Sequence, residues 1–586
     1  MHFVLICIDA MRADHLGCYA GTDRGTPHMD RLAAEGVRFG NAVSQASWTH
    51  PSMASIMTGL YPSQHVMTEA RRESDATKLT ALSAGLPTLA GCLADAGFAT
   101  AAFVAGNAYL KAEFGITRGF AHLGFRTTTD GAAVVDEFAH WLEATGNGPS
   151  FAYLHLMDVH SPLPQEIYPS RPMVDCGVDL DALDSGFETL LGYYAAGVHR
   201  ADAHVGRILS LLEGRDTWVI LTADHGEELN EHGVMLSHGQ SLYRQLLWVP
   251  LVIRRPGGEG AGTAPAQPVS HIDLLPTILQ VAGVTVPDVP GRSLLPLLTG
   301  GHGHEPGNGG GPVAFSELLK RVRYSRSVTT AEHHFIETFH VSKAPVVALS
   351  ELKPGTPVEV KGQPVGATFL PTKVTIGAPG SDKVLGLVDA VDASAGLTTV
   401  LGCPFQVDAD TELIGLDKAP FSLGDLSVGD RLNVTLDPPA DGYRRARSIM
   451  WRKPGGESKL EGPLEAVEAS GGGAVIVRVM GWAVRVDPAQ VRLVRHDETP
   501  RRWRREDVLA MVRSGNYVAR DRELYRFTLD PEETKNLVDD EPTVVETLER
   551  RLAVWAESIA GLPTPGELVE LDPETMDQLR KLGYLA

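Results

Sequence analysis

Asp9, Asp224 and His225 lie where side chains of these types could hold a metal ion. Asp9 directly follows an apolar run near the start of the chain, and Asp224 and His225 follow a second apolar run. Such runs are typical of buried parallel strands, and ligands bind outside the carboxyl ends of these strands. Two carboxylates and an imidazole at one sheet edge suit a hard or borderline divalent cation.

Thr49 is the candidate nucleophile. It precedes Pro51, which suits the first turn of a helix that Gly59 ends. A hydroxyl at this place is either a helix cap or a group beside which an anion is held. A nearby cation lowers the pKa of a coordinated hydroxyl and polarises a bound ester oxygen. Thr49 would then attack an ester, and the helix N-terminus would hold the oxyanion.

A third strand end brings further polar residues to the same edge. Residues 151–154 read as a strand, and His155, Asp158 and His160 follow it. Because the carboxyl ends of parallel strands share one edge of a sheet, we expect these side chains to lie near the candidate metal site.

Every one of these residues also has an ordinary structural interpretation. Asp9 could cap a helix or lie in a solvated loop, and Asp-His-Gly after a strand is often only a turn. We interpret His50, His65 and His232 as structural or surface residues. The occurrence of all the candidates together, in this order, favours a site.

Composition bounds the class of protein. The 586 residues are 43% hydrophobic and 21% charged, as in a globular protein of two or three domains. The net charge of -21 excludes a basic footprint for nucleic acid. No apolar run approaches the roughly 20 residues of a membrane helix, and no secretory signal is visible. With five scattered cysteines, these features predict a cytoplasmic protein.

Alternating strands and helices in the first part predict an α/β sandwich with a central, mostly parallel sheet. We expect three parts: a catalytic domain at 1–340, an inserted β-rich region at 341–499, and a C-terminal α+β subdomain at 500–586 that completes the fold. The insertion contains an internal repeat: "SELKPGTPVEV" matches "GDLSVGDRLNV", and "GLVDAVDAS" matches "GPLEAVEAS". Two small barrel-like units are expected there, serving as a spacer or as a surface for a protein partner.

These stretches together resemble the sulfatase family of the alkaline phosphatase superfamily. The resemblance covers residues 1 to about 340 and about 500 to 586. It is carried by "IDAMRADHLGCYAG", "TPHMDRLAAEGVRFGNAVSQASWTHPSMASIMTGLYPSQH", "LHLMDVHSP", "ILTADHGEELNEHG", "SHGQSLYRQLLWVPLVIRRPG" and "ELYRFTLDPEETKNL".

The resemblance implies roles for the candidate residues. Asp9, Asp224 and His225 would be metal ligands, and Thr49 would hold the nucleophile position. His160 and His238 would contact the substrate or the leaving group, and with Asp158 they are candidates for a second metal. One or two divalent ions are therefore expected, with Zn or Mn favoured over Ca or Mg.

The chain departs from the family pattern at decisive positions. Sulfatases carry a Cys or Ser that becomes formylglycine, followed by Pro and Arg; here the positions hold Thr49, Pro51 and Met53. The usual Asp-Asp pair at the first strand end is Asp9-Ala10, so one ligand is missing. Threonine cannot become the aldehyde hydrate, so a threonyl ester would have to be hydrolysed by water.

Three functions remain open from the sequence. The first is a metal-dependent hydrolase of phosphate mono- or diesters, acting on a small anionic ester without a nucleic acid or membrane partner. The second is a sulfuric ester hydrolase that works without formylglycine, and the third is an inactive sulfatase-like binding protein. The alcohol part of the substrate is expected to be read by loops such as 164–184 and by the insertion.

Overall fold

The computed structural model describes residues 1–67, 78–146, 148–160, 186–300, 311–320, 323–340, 519–559 and 568–581, and most of 355–495 between short gaps. The expected specificity loop at 164–184 lies outside these residues. The chain divides into two compact units: unit 1 comprises 1–339 and 520–586, and unit 2 comprises 340–519. The three-part domain division stays a prediction.

The helices of unit 1 are α1 Gly17–Ala20, α2 Pro27–Glu35, α3 Thr49–Thr58, α4 Pro62–His65, α5 Leu89–Asp95, α6 Gly131–Ala144, α7 Gly186–Leu211, α8 Arg244–Leu247, α9 Leu274–Val281, α10 Leu295–Leu298, α11 Pro542–Ser558 and α12 Pro573–Lys581. Its strands are β1 His2–Ile8, β2 Val37–Arg38, β3 Asn41–Val43, β4 Lys78–Thr80, β5 Ala99–Val104, β6 His122–Phe125, β7 Ser150–Leu156, β8 Thr217–Thr222, β9 Glu228–Leu229, β10 Met235–Ser237, β11 Trp248–Val249, β12 Leu251–Arg254, β13 Pro268–Ser270, β14 Ala314–Lys320, β15 Arg323–Thr329 and β16 His334–His340, with β29 Ala519–Tyr525 and β30 Leu568–Glu570.

A central sheet organises unit 1. Its strand order is β2-β12-β8-β1-β7-β5-β6. The pairs among β8, β1, β7, β5 and β6 are parallel, and β12 and β2 join as an antiparallel edge. Two groups of helices flank the sheet: α2, α6 and α7 pack together, as do α3, α5 and α9. The predicted α/β sandwich with a mostly parallel sheet is confirmed.

The continuous apolar character of β1 explains its place in the middle of this sheet. Its residues from Phe3 to Ile8 are almost fully buried, as expected for a strand covered on both faces. The register pairs Ile8 with Leu156 of β7 and Cys7 with Thr222 of β8. The residues that follow β1 and β8 therefore meet at one edge.

The C-terminal part of unit 1 adds an antiparallel sheet in the order β14-β15-β16-β29. Helix α11 packs one face, which buries Leu548, Leu552 and Trp555, against this region. The stacked rings of Trp555 and Phe315 lie 5.0 Å apart. This is an α+β arrangement, but only β29 and α11 come from the expected subdomain at 500–586, and its other three strands precede the insertion.

The secondary structure that the structure describes in unit 2 consists almost entirely of β-strands. These are β17 Pro357–Val365, β18 Thr368–Ile376, β19 Asp382–Asp392, β20 Leu397–Val400, β21 Cys403–Gln406, β22 Glu412–Ile414, β23 Arg431–Leu436, β24 Arg444–Arg452, β25 Ser458–Ala469, β26 Val475–Val479, β27 Trp482–Val486 and β28 Arg492–Arg495. The pairings close two rings, one in the order β17-β18-β27-β26-β25 and one in the order β19-β20-β21-β24-β23. A separate core of buried Val, Leu and Phe side chains fills this unit.

Candidate active site

The register of the central sheet brings the two candidate acidic ligands together. Asp9 follows β1, and its N–H donates to the carbonyl oxygen of Leu156 at 2.9 Å. Asp224 follows β8, and its Oδ1 accepts the N–H of Ala10 at 3.2 Å and that of His225 at 2.9 Å. Ala10 has a φ of 59°, a left-handed turn that is uncommon without glycine. The turn at Ala10 thus directs its N–H to Asp224 and brings the carboxylates of Asp9 and Asp224 close together.

Asp9, Asp224 and His225 are called the acidic cluster below. Thr49 is the first residue of α3, and its hydroxyl lies beside this cluster. Its Oγ1 is 3.3 Å from Asp9 Oδ2 and 3.3 Å from His225 Nε2. The helix continues through Pro51 and ends where Gly59 adopts a φ of 71°, as the sequence predicts. The first N–H groups of any helix lack intrahelical acceptors, so this end favours an anion beside Thr49.

Gly226 shapes the turn that presents His225. A Cβ at Gly226 would overlap the carbonyl oxygen of Gln245, so only glycine allows this close approach. The Nδ1–H of His225 donates to the carbonyl oxygen of Gly226 at 2.7 Å. This bond places a proton on Nδ1, so that when the ring is neutral the lone pair is on Nε2, which faces the cluster.

The donor atoms of this cluster fit a divalent cation. Asp9 Oδ1 and Asp224 Oδ2 are buried and have no hydrogen-bond partner among the described residues. One ligand atom each from Asp9, Asp224 and His225 lies within 4.8 Å of the others. Buried carboxylate oxygens without partners are costly unless an ion or a proton compensates them. These three residues are therefore the candidates to hold a metal.

The pKa values reflect the crowding of buried charge. Burial, and then repulsion by Asp9, raises the pKa of Asp224 to about 6. Burial alone would raise the pKa of Asp9 as well, but the nearby His160 and the hydrogen bond from His155 lower it below its usual range. One carboxyl of the pair thus stays ionised while the other holds its proton more tightly.

His238 lies beside His225, and His160 lies beside His238. The ring of His238 lies 4.5 Å from that of His225 and 5.1 Å from that of His160. Gly239 donates its N–H to the carbonyl oxygen of Ser47 at 2.8 Å, which fixes the loop carrying His238 beside the turn before Thr49. Burial lowers the pKa of His160 to about 4.

Glu227 orients His238 and was not singled out from the sequence. Its Oε1 and Oε2 lie 3.1 and 3.2 Å from His238 Nδ1. Burial raises the pKa of Glu227 to about 7. Its place in Asp-His-Gly-Glu, beside a predicted ligand pair, was the available signal.

Asp158 does not join the cluster. Its Oδ1 lies 3.3 Å from His204 Nε2 and 3.9 Å from Arg200 Nε, both on α7. His155 lies within β7 rather than beyond its end, since the strand continues to Leu156. The candidate second-metal ligand Asp158 therefore contacts α7 rather than the acidic cluster.

Two more residues contact Asp9: His155, which the sequence places near the site, and Asn107, which was not singled out. Asn107 Nδ2 donates to Asp9 Oδ2 at 2.8 Å, and His155 Nε2 lies 3.0 Å from the same oxygen. Asn107 follows β5 by three residues, at the same sheet edge as Asp9. The strand-end rule could have found it.

Comparison with protein families gives two matches. The sulfatase family model matches residues 1–284, and a domain of unknown function (DUF5666) matches residues 386–450. Among the described residues, none of the helices combines the length and apolar character that crossing a bilayer requires.

Curated relatives include several sulfatases. The chain is 25% identical over 362 residues to the uncharacterized sulfatase YidJ of Escherichia coli, which covers 50% of this chain and 70% of that protein. It is 27% identical over 408 residues to the steryl-sulfatase of Mus musculus, covering 51% of this chain and 65% of that protein. The matches thus span about two thirds of the length of these relatives.

Solved structures with similar folds include phosphonate monoester hydrolases. That of Agrobacterium radiobacter has 20% identity and a TM-score of 0.46, with 57% of this chain and 86% of that chain covered. That of Silicibacter pomeroyi has 22% identity and a TM-score of 0.46, with 58% and 88% covered. With the sulfatase domain at its N-terminal end and its relatives among the sulfatases, the chain belongs to the sulfatase/alkaline phosphatase superfamily of ester hydrolases.

Proposed function

We propose that this ester hydrolase is metal-dependent, acts on phosphate mono- or diesters, and uses Thr49 as its nucleophile. The observation that carries the proposal is the position of Thr49 Oγ1, 3.3 Å from both Asp9 Oδ2 and His225 Nε2. A threonine that only capped a helix would not need two unpartnered buried carboxylate oxygens beside it. Asp9, Asp224 and His225 would hold the cation.

The bound cation would supply positive charge that makes the Thr49 hydroxyl more acidic and polarises the ester. The hydrogen bond to Asp9 Oδ2 orients the hydroxyl, and the start of α3 favours the anionic ester beside it. Attack by Thr49 Oγ1 on phosphorus forms a threonyl phosphoester and breaks the bond to the substrate alcohol. Water then cleaves this ester and restores the hydroxyl.

The leaving alcohol needs a proton, and His238 is placed to give it. Glu227 accepts the Nδ1–H of His238, so the proton given to the leaving oxygen would be the one that the imidazolium carries on Nε2. Because burial lowers the pKa of His160 to about 4, His160 would be neutral at pH 7 and contact the substrate through hydrogen bonds. The two histidines thus have different proposed roles.

Turnover by matched variants tests the nucleophile. The substrates are nitrophenyl phosphate, bis-nitrophenyl phosphate and nitrophenyl sulfate, and the variants are Thr49→Ala, Thr49→Ser and the control Thr58→Ala. Thr58 is on the same helix, where its hydroxyl donates to the carbonyl oxygen of Ala54. We expect at least about a 10³-fold loss of kcat for Thr49→Ala, retained turnover for Thr49→Ser, and wild-type turnover for the control.

Mass spectrometry of enzyme denatured during turnover of nitrophenyl phosphate should show Thr49 carrying one phosphoryl group. Equal turnover by wild type and Thr49→Ala would remove Thr49 as the nucleophile. Sulfate turnover exceeding that of both phosphates would favour the sulfuric ester hydrolase, which the sulfatase relatives support. A folded protein that neither binds metal nor turns over any ester would favour an inactive binding protein.

Location and partners are also proposals. The cysteines described by the structure, Cys7, Cys18, Cys92 and Cys403, are free thiols, which supports a reducing, cytoplasmic compartment. A small anionic ester remains the expected substrate, without a nucleic acid or membrane partner. The insertion remains the candidate surface for a protein partner.

A further inference from the structure

The two carboxylate oxygens of Asp9 have different surroundings. Oδ2 accepts a hydrogen bond from Asn107 Nδ2 at 2.8 Å and lies 3.0 Å from His155 Nε2, with Thr49 Oγ1 further away at 3.3 Å. Oδ1 has no hydrogen-bond partner among the described residues and lies 3.5 Å from His225 Nε2. One oxygen is therefore saturated with donors while the other is left for a different ligand.

His155 can hold Oδ2 only if its proton is on Nε2, and Tyr153 ensures this. The hydroxyl of Tyr153 lies 2.7 Å from His155 Nδ1. Because Nε2 faces a carboxylate oxygen, which only accepts, Nδ1 of the neutral ring is an acceptor, and the Tyr153 hydroxyl is the donor beside it, closer to Nδ1 than to Met53 Sδ at 3.4 Å. Tyr153 and His155 are two positions apart on β7, so their side chains lie on the same face of the strand, and both are fully buried. The tautomer of His155 is thereby set by its own strand.

Asn107 is oriented in a comparable way. Its Oδ1 accepts the N–H of Tyr109 at 3.1 Å, which assigns the amide nitrogen to the side that faces Asp9. The neighbouring strands β5 and β7 pair Val104 with His155, so the two donors reach Asp9 from adjacent strands. Rotation of the Asp9 carboxylate would break both bonds at once.

We propose that Asn107 and His155 are positioning residues that hold Oδ2 of Asp9 and so reserve Oδ1 for a divalent cation. This inference rests on the metal dependence of the proposed function. Neither residue would touch substrate, since both act through Asp9. Hydrogen bonds of this kind to a ligating carboxylate fix its direction, and removing them typically lowers metal affinity about 10–100-fold.

Metal affinity, measured without turnover, distinguishes a positioning role of Asn107 and His155 from a role in which they only pack in the core. Mn²⁺ and Zn²⁺ are titrated against a fluorescent chelator, with the thermal midpoint of each metal-free variant recorded in parallel. The variants are His155→Leu, which loses the donor, His155→Gln, whose amide nitrogen can replace Nε2, and Asn107→Leu. The control is His65→Leu, because His65 is equally buried but its Nε2 lies 3.0 Å from Ser55 Oγ.

We expect His155→Leu and Asn107→Leu to bind the ion about 10–100-fold more weakly, and His155→Gln to stay within about threefold of wild type. The control should lose thermal stability without losing affinity. If the leucine variants fold poorly, Tyr153→Phe is the second test: it keeps His155, removes the hydroxyl that lies 2.7 Å from His155 Nδ1 and 3.4 Å from Met53 Sδ, and should weaken binding several-fold.

Wild-type affinity in a folded His155→Leu or Asn107→Leu variant would overturn the positioning role, as would an equal loss in His65→Leu. Wild-type protein that binds neither ion overturns it together with the metal dependence. If wild type binds metal but hydrolyses no ester, the proposed function fails, while the affinity pattern of the variants still decides the positioning role.

Discussion

Replacing Asp224 by asparagine should stabilise the metal-free protein and abolish its stabilisation by metal. Oδ1 of Asp224 already accepts the N–H groups of Ala10 and His225, which an asparagine carbonyl would continue to do. Among the residues that the structure describes, Oδ2 has no hydrogen-bond partner, and it lies 3.4 Å from His225 Nε2. An asparagine NH₂ at that position could donate to Nε2 of the neutral imidazole, and the buried negative charge of the carboxylate would be removed.

The expected gain follows from the pKa of Asp224. Burial and Asp9 raise this pKa from 3.8 to about 6, so ionising the group in the native state costs up to about 3 kcal/mol. A carboxyl with a raised pKa binds a proton in the native state that the unfolded chain has lost. Stability therefore falls as pH rises from about 4 to about 6, and the full cost applies above that window.

At pH 7.5 the Asp224→Asn variant is spared this cost. Unit 1 has roughly 400 residues, for which the unfolding entropy is about 0.8 kcal/mol/K. A gain of up to about 3 kcal/mol then raises the thermal midpoint by up to about 4 °C. A cation at 100 times its Kd stabilises wild type by about 2.7 kcal/mol, whereas the variant lacks a ligand. Adding Mn²⁺ or Zn²⁺ should therefore remove or reverse the difference between the two proteins.

Thermal unfolding of chelator-treated protein, with and without each ion, measures both effects. Asp273→Asn is the control. Burial raises the pKa of Asp273 to about 6 as well, but its two oxygens accept the N–H groups of Ser270 and Arg292. An amide there would face a donor, so the control should lose stability and keep the wild-type response to metal. A metal-free Asp224→Asn protein less stable than wild type, or one with an undiminished metal response, would refute the reasoning.

Three further outcomes follow from the site. Metal affinity should fall below about pH 6, because Asp224 must lose a proton to bind; chelator competition from pH 5 to 8 measures this, and a flat profile contradicts it. His50→Phe should raise the thermal midpoint by about 1–2 °C without changing kcat, since both ring nitrogens are buried without a hydrogen-bond partner among the described residues and burial lowers the pKa of His50 to about 3. A lower midpoint would indicate a partner for the ring. Gly226→Ala should lower metal affinity at least about tenfold in a titration, because its Cβ would overlap the Gln245 carbonyl oxygen and displace His225; unchanged affinity would show that the turn can adjust.

The centre of the candidate site could be predicted because it depends on strand ends. A buried parallel strand is recognisable from its apolar run, and sheet geometry then requires that residues following β1 and β8 meet. Asp9 and Asp224 needed no other information to be placed side by side. Pro51 shows where the helix that carries Thr49 begins, and the family resemblance agrees with Thr49 as the nucleophile, but the direction of its hydroxyl cannot be predicted from the sequence.

The sequence could have placed Asn107 and Glu227 near the site, but not the contacts by which they orient Asp9 and His238. Asn107 is 98 positions from Asp9, and Glu227 faces His238 only because two loops fold back on each other. Asp158 shows the limit most clearly. The resemblance made Asp158 a second-metal candidate together with His160 and His238, yet a turn can direct neighbouring side chains to different places, and α7 provides His204 as a partner 46 positions away.

The insertion shows how a detected repeat can still mislead about structure. The matching segments imply two units that follow one another, but the strands pair across the repeats. β19 pairs antiparallel with β23 as β25 does with β17, and β21 runs parallel to β24 as β27 does to β18. One ring takes the hairpin β17–β18 from the first repeat and its other strands from the second. The other ring takes the hairpin β23–β24 from the second repeat and its other strands from the first, so neither repeat can form a closed ring alone. This exchange also explains why the DUF5666 match at 386–450 begins inside one repeat and ends inside the next: it follows the one ring whose strands are continuous in sequence.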